Sequence, residues 1–197
     1  MTYANQLTIL RLIFIPGFVL LVIYGHPKLA TLIFVLAGVT DALDGLLARK
    51  LEQRTVLGSF LDPMADKLLL TASFITLTIP AIPLPVHIPA WLTILAISRD
   101  ILIALSALII HLQTRHSEFP PSFLGKCTTA AQLLTILICM LANFWEKLGI
   151  LLFPPVVYVT LLLTVVSGLH YFYRSARIIG SYQKLQVKNG ETRNPDC

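Results

Sequence analysis

Apolar residues along the 197-residue chain fall into six long runs, at about Leu7–Tyr24, Leu29–Leu47, Pro63–Ile79, Ala90–Ile110, Thr128–Phe144 and Ile150–Tyr171. A helix needs about 20 such residues to cross the hydrocarbon of a bilayer. Between the runs lie breakers and polar segments: Gly25-His26-Pro27, Lys50–Thr55, Pro80–Pro89, Gln113–Pro121 and Glu146-Lys147. Connections this short make successive helices antiparallel neighbours. The pattern predicts an all-α integral membrane protein, a bundle of six transmembrane helices over residues 1–173, with no separate soluble domain. A basic cytoplasmic tail, 174–197, follows and is expected to lie on anionic lipid or to be partly disordered. Pro16 falls inside the first run and predicts a kink, its freed carbonyl finding a partner within the bundle.

Composition agrees. Hydrophobic residues make up 56% and charged residues 13% of the chain, against about 45–50% and 25% in a soluble domain, and the mean hydropathy is +0.78. A water-soluble globule, a disordered chain and collagen are all poor fits. The net charge of +5 is modest, and its basic residues follow topology instead of forming a stripe for nucleic acid. One set of loops and ends carries nine of them, Lys50, Arg54, Arg115, Lys126, Arg174, Arg177, Lys184, Lys188 and Arg193, and the other set two, Lys28 and Lys147. The positive-inside rule puts the first set, and both termini, in the cytoplasm. The first run lacks a basic leader and a small-residue cleavage site, so it reads as a retained span. Tyr24, Trp91, Phe144, Trp145, Tyr171 and Tyr173 sit near span ends, as an interfacial belt would. The three cysteines and five histidines have no metal-ligand spacing.

Ionisable groups inside membrane helices are costly and usually functional. Here they concentrate in one stretch: Asp41, Asp44, Arg49, Asp62, Asp66 and Lys67. Asp41 and Asp44 are three apart, a spacing that shares one helix face, and Gly45 and Ala48 extend that face almost without side chain. Asp62 and Asp66 are four apart, again on one face. Pro63 as first helical residue would make Asp62 an N-cap. Two carboxylates about 6 Å apart repel by roughly 3 kcal/mol at an effective dielectric near 20, so four in one pocket call for protons or cations. Oxygen ligands without His or Cys suit Mg²⁺ or Mn²⁺, and four carboxylates suffice for two ions, the arrangement used in phosphoryl-type displacement. A proton- or cation-coupled transporter also places carboxylates in helices, but near the midplane and often in inverted repeats. These acids lie near cytoplasmic helix ends, and no repeat is visible.

The stretch reads Asp41-x-x-Asp44-Gly45-x-x-Ala48-Arg49, eight residues, then Gly58-x-x-x-Asp62-x-x-x-Asp66. At every fixed position it resembles the signature of the CDP-alcohol phosphatidyltransferase family. The resemblance implies a six-helix membrane enzyme, a homodimer open to the cytoplasm, that moves a phosphatidyl or similar group from a CDP-linked donor to an alcohol and releases CMP. It implies that Asp41, Asp44, Asp62 and Asp66 hold two Mg²⁺ or Mn²⁺ ions, and that Asp66 is the general base for the acceptor hydroxyl. It also implies that Asp41, Gly45, Ala48, Arg49 and Gly58 receive the cytidine nucleotide.

Four further segments resemble the subgroup whose members use CDP-diacylglycerol with glycerol 3-phosphate or, to form cardiolipin, phosphatidylglycerol. They are Asn5-x-Leu7-Thr8-x-x-Arg11 with Pro16, Leu61-Asp62-Pro63-x-Ala65-Asp66-Lys67, Ser98-Arg99-Asp100, and Gly125-Lys126-x-x-Thr129-Ala130-x-Gln132. Ser98-Arg99-Asp100 and Leu57-Gly58-Ser59 lean toward the cardiolipin-forming branch; the compact length and the Gly125-Lys126 segment lean toward glycerol 3-phosphate, the acceptor expected here. An anionic acceptor needs cations, and Arg11, Arg99 and Lys126 are available. The bland reading of each is a snorkelling Arg11, an Arg99–Asp100 pair and an ordinary loop Lys126. The expected setting is the cell membrane, multi-pass, with the active site facing the cytoplasm among membrane lipids.

Overall fold

A computed structural model describes residues 3–51, 56–114 and 123–191, with side chains described at 9–40, 64–106 and 123–173. The described residues form six α-helices and no strand: α1 Tyr3–Ile23, α2 Pro27–Leu51, α3 Val56–Thr78, α4 Ala90–Thr114, α5 Phe123–Leu141 and α6 Glu146–Glu191. Each apolar run has become one helix, and Pro16 lies inside α1.

Every helix starts before or runs past its apolar stretch, and α2, α3 and α6 do so most consequentially. α2 continues to Leu51 and α3 starts at Val56, so the whole acidic signature apart from its connector is helical. Asp62 is therefore not an N-cap; it lies nearly two turns inside α3, and Pro63 behind it forfeits one intrahelical bond. α6 runs unbroken through the 173/174 boundary to Glu191, so the tail is helical that far. Its Lys, Arg, Gln and Leu are good helix formers, and a backbone ladder has no reason to stop where hydrocarbon does.

The chain divides into two compact units. One comprises Met1–Thr93 with Gln132–Tyr158, the other Ile94–Ala131 with Val159–Cys197. In the first, α1 packs against α2 and α3. Phe18 and Phe34 meet in a tilted ring pair 5.7 Å apart, beside buried Val22, Ala30 and Ala37. α1 ends in a paired cap: His26 N–H donates to the Leu21 carbonyl at 2.8 Å and Gly25 N–H to Val22 at 3.2 Å, with Gly25 at φ +76°. That left-handed backbone suits glycine at a helix C-terminus. A Cβ there would meet nothing within 4 Å, so the penalty for one is backbone strain alone. Gly25→Ala is expected to lower stability by about 1–2 kcal/mol, read as an earlier thermal midpoint in detergent without loss of activity at low temperature; an unchanged midpoint would contradict the cap.

The proline-rich link from α3 to α4 is pinned by its apolar residues. Ile82, Leu84 and Ile88 are buried, the Ile88 N–H donates to the Leu77 carbonyl at 3.1 Å, and the Cys139 thiol of α5 reaches the Val86 carbonyl at 3.4 Å. At the turn into α6, Gly149 is pressed onto Ala142, whose backbone nitrogen would lie 3.2 Å from an added Cβ. In the second unit α5 and α6 interlock through hydroxyls: Thr128 donates to the Leu163 carbonyl at 3.1 Å and Thr160 to the Ala131 carbonyl at 3.2 Å. Small hydroxyl residues that bond across helices are the usual cement of membrane bundles.

Beside the buried apolar core, polar groups are buried and many large apolar side chains are exposed. Arg11, Arg99, Gln132 and a set of Thr and Ser side chains are buried, whereas Leu151, Tyr158, Leu162, Leu169 and Phe172 of α6 lie open. Water would not tolerate such a surface on a stable monomer. Within the described residues two segments, Phe123–Leu141 and Glu146–Tyr173, are long and apolar enough to cross a membrane. Of the aromatics near span ends, Tyr24, Trp91, Phe144, Trp145 and Tyr173 are exposed, whereas Tyr171 is buried. Tyr171 lies on the inward-facing side of α6, with its ring under the Arg99 guanidinium.

Candidate active site

The helix register assembles the acidic residues in two pairs. Asp41 and Asp44 sit three apart in α2, with Gly45 and Ala48 one turn on, and Asp62 and Asp66 sit four apart in α3. Each pair therefore shares a helix face. The side chains of Asp41, Asp44, Arg49 and Asp62, and the environments of Gly45, Ala48 and Gly58, lie outside the described residues; Asp66 lies within them. α1 is the neighbour common to both helices.

From α1, Arg11 reaches Asp66. Its Nη1 donates to Asp66 Oδ1 at 2.6 Å, across 55 positions of sequence. The Arg11 side chain is 1% exposed and that of Asp66 44%. A charge-assisted bond of this length is strong, and a cation this deep in an apolar bundle is stable only with such compensation. Hence one end of the pair is sealed among helices while the carboxylate end stays open to a ligand.

In the second unit Arg99 of α4 is also buried. Its Nη1 donates to Asp100 Oδ1 at 2.6 Å and its Nη2 to Ser167 Oγ at 2.6 Å. Its Cζ stands 5.9 Å from the centre of the Tyr171 ring, a cation–π distance. Gly168 lies alongside, where an added Cβ would stand 3.8 Å from Arg99 Cγ, an ordinary van der Waals contact. A guanidinium offers five N–H donors; two are used in these bonds, and the buried Nε has no hydrogen-bond partner among the described residues. The bland pairing of Arg99 with Asp100 is thus real, and it leaves donor capacity. Lys126, near the start of α5, is exposed.

Ser167 is absent from the sequence expectations, and Tyr171 enters them only as a belt aromatic. The signal was present as a stripe: Thr160, Thr164, Ser167 and Tyr171 recur at spacings of four, three and four, one face of α6, and all four are buried. Among the described residues no three His, Cys, Asp or Glu groups gather; three of the four signature carboxylates fall outside them. Carboxylate oxygen without imidazole or thiolate is a hard donor set, and it fits Mg²⁺ or Mn²⁺.

Residues 1–168 match the CDP-alcohol phosphatidyltransferase family, and the chain belongs to it. Among its curated relatives, a CDP-diacylglycerol–glycerol-3-phosphate 3-phosphatidyltransferase of Haemophilus influenzae is 41% identical over 171 residues, covering 84% of this chain and 88% of the relative. Proteins of the same name from Shigella flexneri and Bacillus subtilis are 38% and 31% identical, over 84% and 87% of this chain and 90% and 93% of their own lengths.

Proposed function

We propose that this protein transfers the phosphatidyl group of CDP-diacylglycerol to glycerol 3-phosphate, giving phosphatidylglycerophosphate and CMP. The observation that carries the reading is a complete family signature on two helices, in a chain similar over most of its length to enzymes named for that reaction. The enzyme is a six-span protein of the cell membrane with both termini cytoplasmic, a transmembrane domain over 1–173 and a basic tail over 174–197, and it works as a homodimer. The open apolar face of α6 and the nine-to-two bias of basic residues support this topology.

Asp41, Asp44, Asp62 and Asp66 would hold two divalent ions, Mg²⁺ or Mn²⁺. When bound, such ions neutralise a pyrophosphate and stabilise the departing CMP. Gly45, Ala48 and Gly58 leave room for the cytidine nucleotide against the helix backbones, with Asp41 and Arg49 at its polar atoms. Asp66 takes the proton of the acceptor hydroxyl, which then attacks the phosphorus. The half-open carboxylate suits that task, because a general base must come within about 3 Å of the proton it removes. Arg99 and Lys126 take the phosphate of the acceptor. Acyl chains remain in lipid while the headgroups react at the water interface.

The Arg99 assignment has its own test. Ser167 holds one nitrogen of the guanidinium, and a hydrogen bond to a charged group contributes about 1.5–3 kcal/mol. Ser167→Ala is expected to raise KM for glycerol 3-phosphate about tenfold with kcat little changed; an unchanged KM refutes the role.

The function itself is tested by giving purified protein CDP-diacylglycerol and Mg²⁺ with glycerol 3-phosphate, phosphatidylglycerol, inositol phosphate or serine in separate reactions. CMP release with glycerol 3-phosphate is the expected result. Release with phosphatidylglycerol alone would make the chain a cardiolipin synthase. Proton- or cation-coupled solute flux without CMP would make it a transporter.

A further inference from the structure

We infer that Arg11 is a positioning residue for Asp66 and not a ligand of the acceptor phosphate. This rests on the proposed role of Asp66 as base. Three observations carry it. Arg11 is sealed from solvent, with 1% of its side chain exposed, so a phosphate arriving from water does not meet it without opening the packing of α1 on α2 and α3. Its Nη1 is already committed to Asp66 Oδ1 at 2.6 Å. The partner it holds is 44% exposed, so the pair presents the carboxylate and hides the cation.

The physical consequence is orientation. A carboxylate on a helix samples several χ1 wells and a broad χ2, and most of them aim its oxygens away from a given hydroxyl. A bond from a rigid, buried guanidinium on a second helix selects one of these arrangements before substrate binds. Such fixing matters in the chemical step more than in binding, because an error near 1 Å in the placement of a reacting group costs about a hundredfold in rate. Arg11 therefore ties the N-terminal helix to the reaction without touching the acceptor.

Steady-state kinetics of Arg11→Ala and Arg11→Lys, with glycerol 3-phosphate varied at saturating CDP-diacylglycerol, separate the two roles. The expected result for Arg11→Ala is a fall in kcat of about ten- to a hundredfold, with KM for glycerol 3-phosphate within twofold of wild type. Arg11→Lys keeps a cation but not the planar fork and should recover part of kcat. A KM raised tenfold or more in either variant, or a kcat within twofold of wild type in both, overturns the inference. Equilibrium binding of CDP-diacylglycerol and size-exclusion behaviour in detergent identify a variant that fails to fold. In that event Arg11→Lys and Arg11→Gln carry the test under the same two criteria. A wild-type protein that releases no CMP with glycerol 3-phosphate would defeat the proposed function instead, a different outcome read from a different sample.

Discussion

Asp66→Asn is expected to bring CMP release down by about 10²–10⁴-fold, the usual contribution of a positioned general base, while CDP-diacylglycerol still binds. The substitution suits the structure. Asparagine has nearly the same shape, and its Oδ1 can still accept the 2.6 Å bond from Arg11 Nη1, so α1 and α3 keep their contact. It cannot accept the proton of an alcohol as a carboxylate does. Loss of rate with retained donor binding therefore isolates the proton transfer from folding and from nucleotide recognition. The measurement is CMP release with glycerol 3-phosphate beside equilibrium binding of the CDP-lipid. Ordinary turnover by the variant would remove Asp66 from the role of base, and loss of donor binding would make it a ligand-holding group first.

The two pairs of acids were legible in the sequence because their chemistry is local. Spacings of three and four within Asp41–Asp66 already fix which residues share a helix face, whatever the rest of the chain does. The Arg11–Asp66 bond was not legible, since it joins positions 55 apart and depends on how α1 lies against α3. Helix existence was easy and helix ends were hard for a related reason. Hydropathy reports how much chain fits in hydrocarbon, whereas a helix continues as long as its backbone bonds and side-chain propensities allow. Hence Val56–Asp62 and Arg174–Glu191, which hydropathy leaves outside the spans, are helical. Tyr171 shows the limit of composition. Beside Phe172 and Tyr173 it looks like one more interfacial aromatic, but each residue turns the helix by about 100°. That phase puts Tyr171 in line with Ser167 and Thr164, beneath Arg99, and leaves Phe172 and Tyr173 outside.

The second large effect concerns charge. Removal of divalent cations by a chelator is expected to reduce CMP release to background, and readdition of Mg²⁺ or Mn²⁺ to restore it. Asp44→Asn should cost about 10³-fold in kcat even with metal in excess, since several kcal/mol of charge stabilisation at a pyrophosphate corresponds to three or more powers of ten in rate. Asp41 and Asp44 lie in one continuous helix and Asp62 and Asp66 in another, so each pair is held together by helix geometry and cannot relax apart as loop residues would. Neighbours in each pair then repel by roughly 3 kcal/mol, a cost the helices sustain only if positive charge joins them. Arg11 offsets part of it at Asp66, but it lies on the buried side and leaves the open side of that carboxylate facing any incoming ion. A pyrophosphate adds further negative charge to the same place, so donor and metal should bind interdependently. Equilibrium binding of CDP-diacylglycerol with and without Mg²⁺, in wild type and in Asp44→Asn, measures that dependence. CMP release or donor binding that is indifferent to chelation would mean that protons, not metal ions, balance the four acids, and the phosphatidyl-transfer mechanism would have to be rebuilt without them.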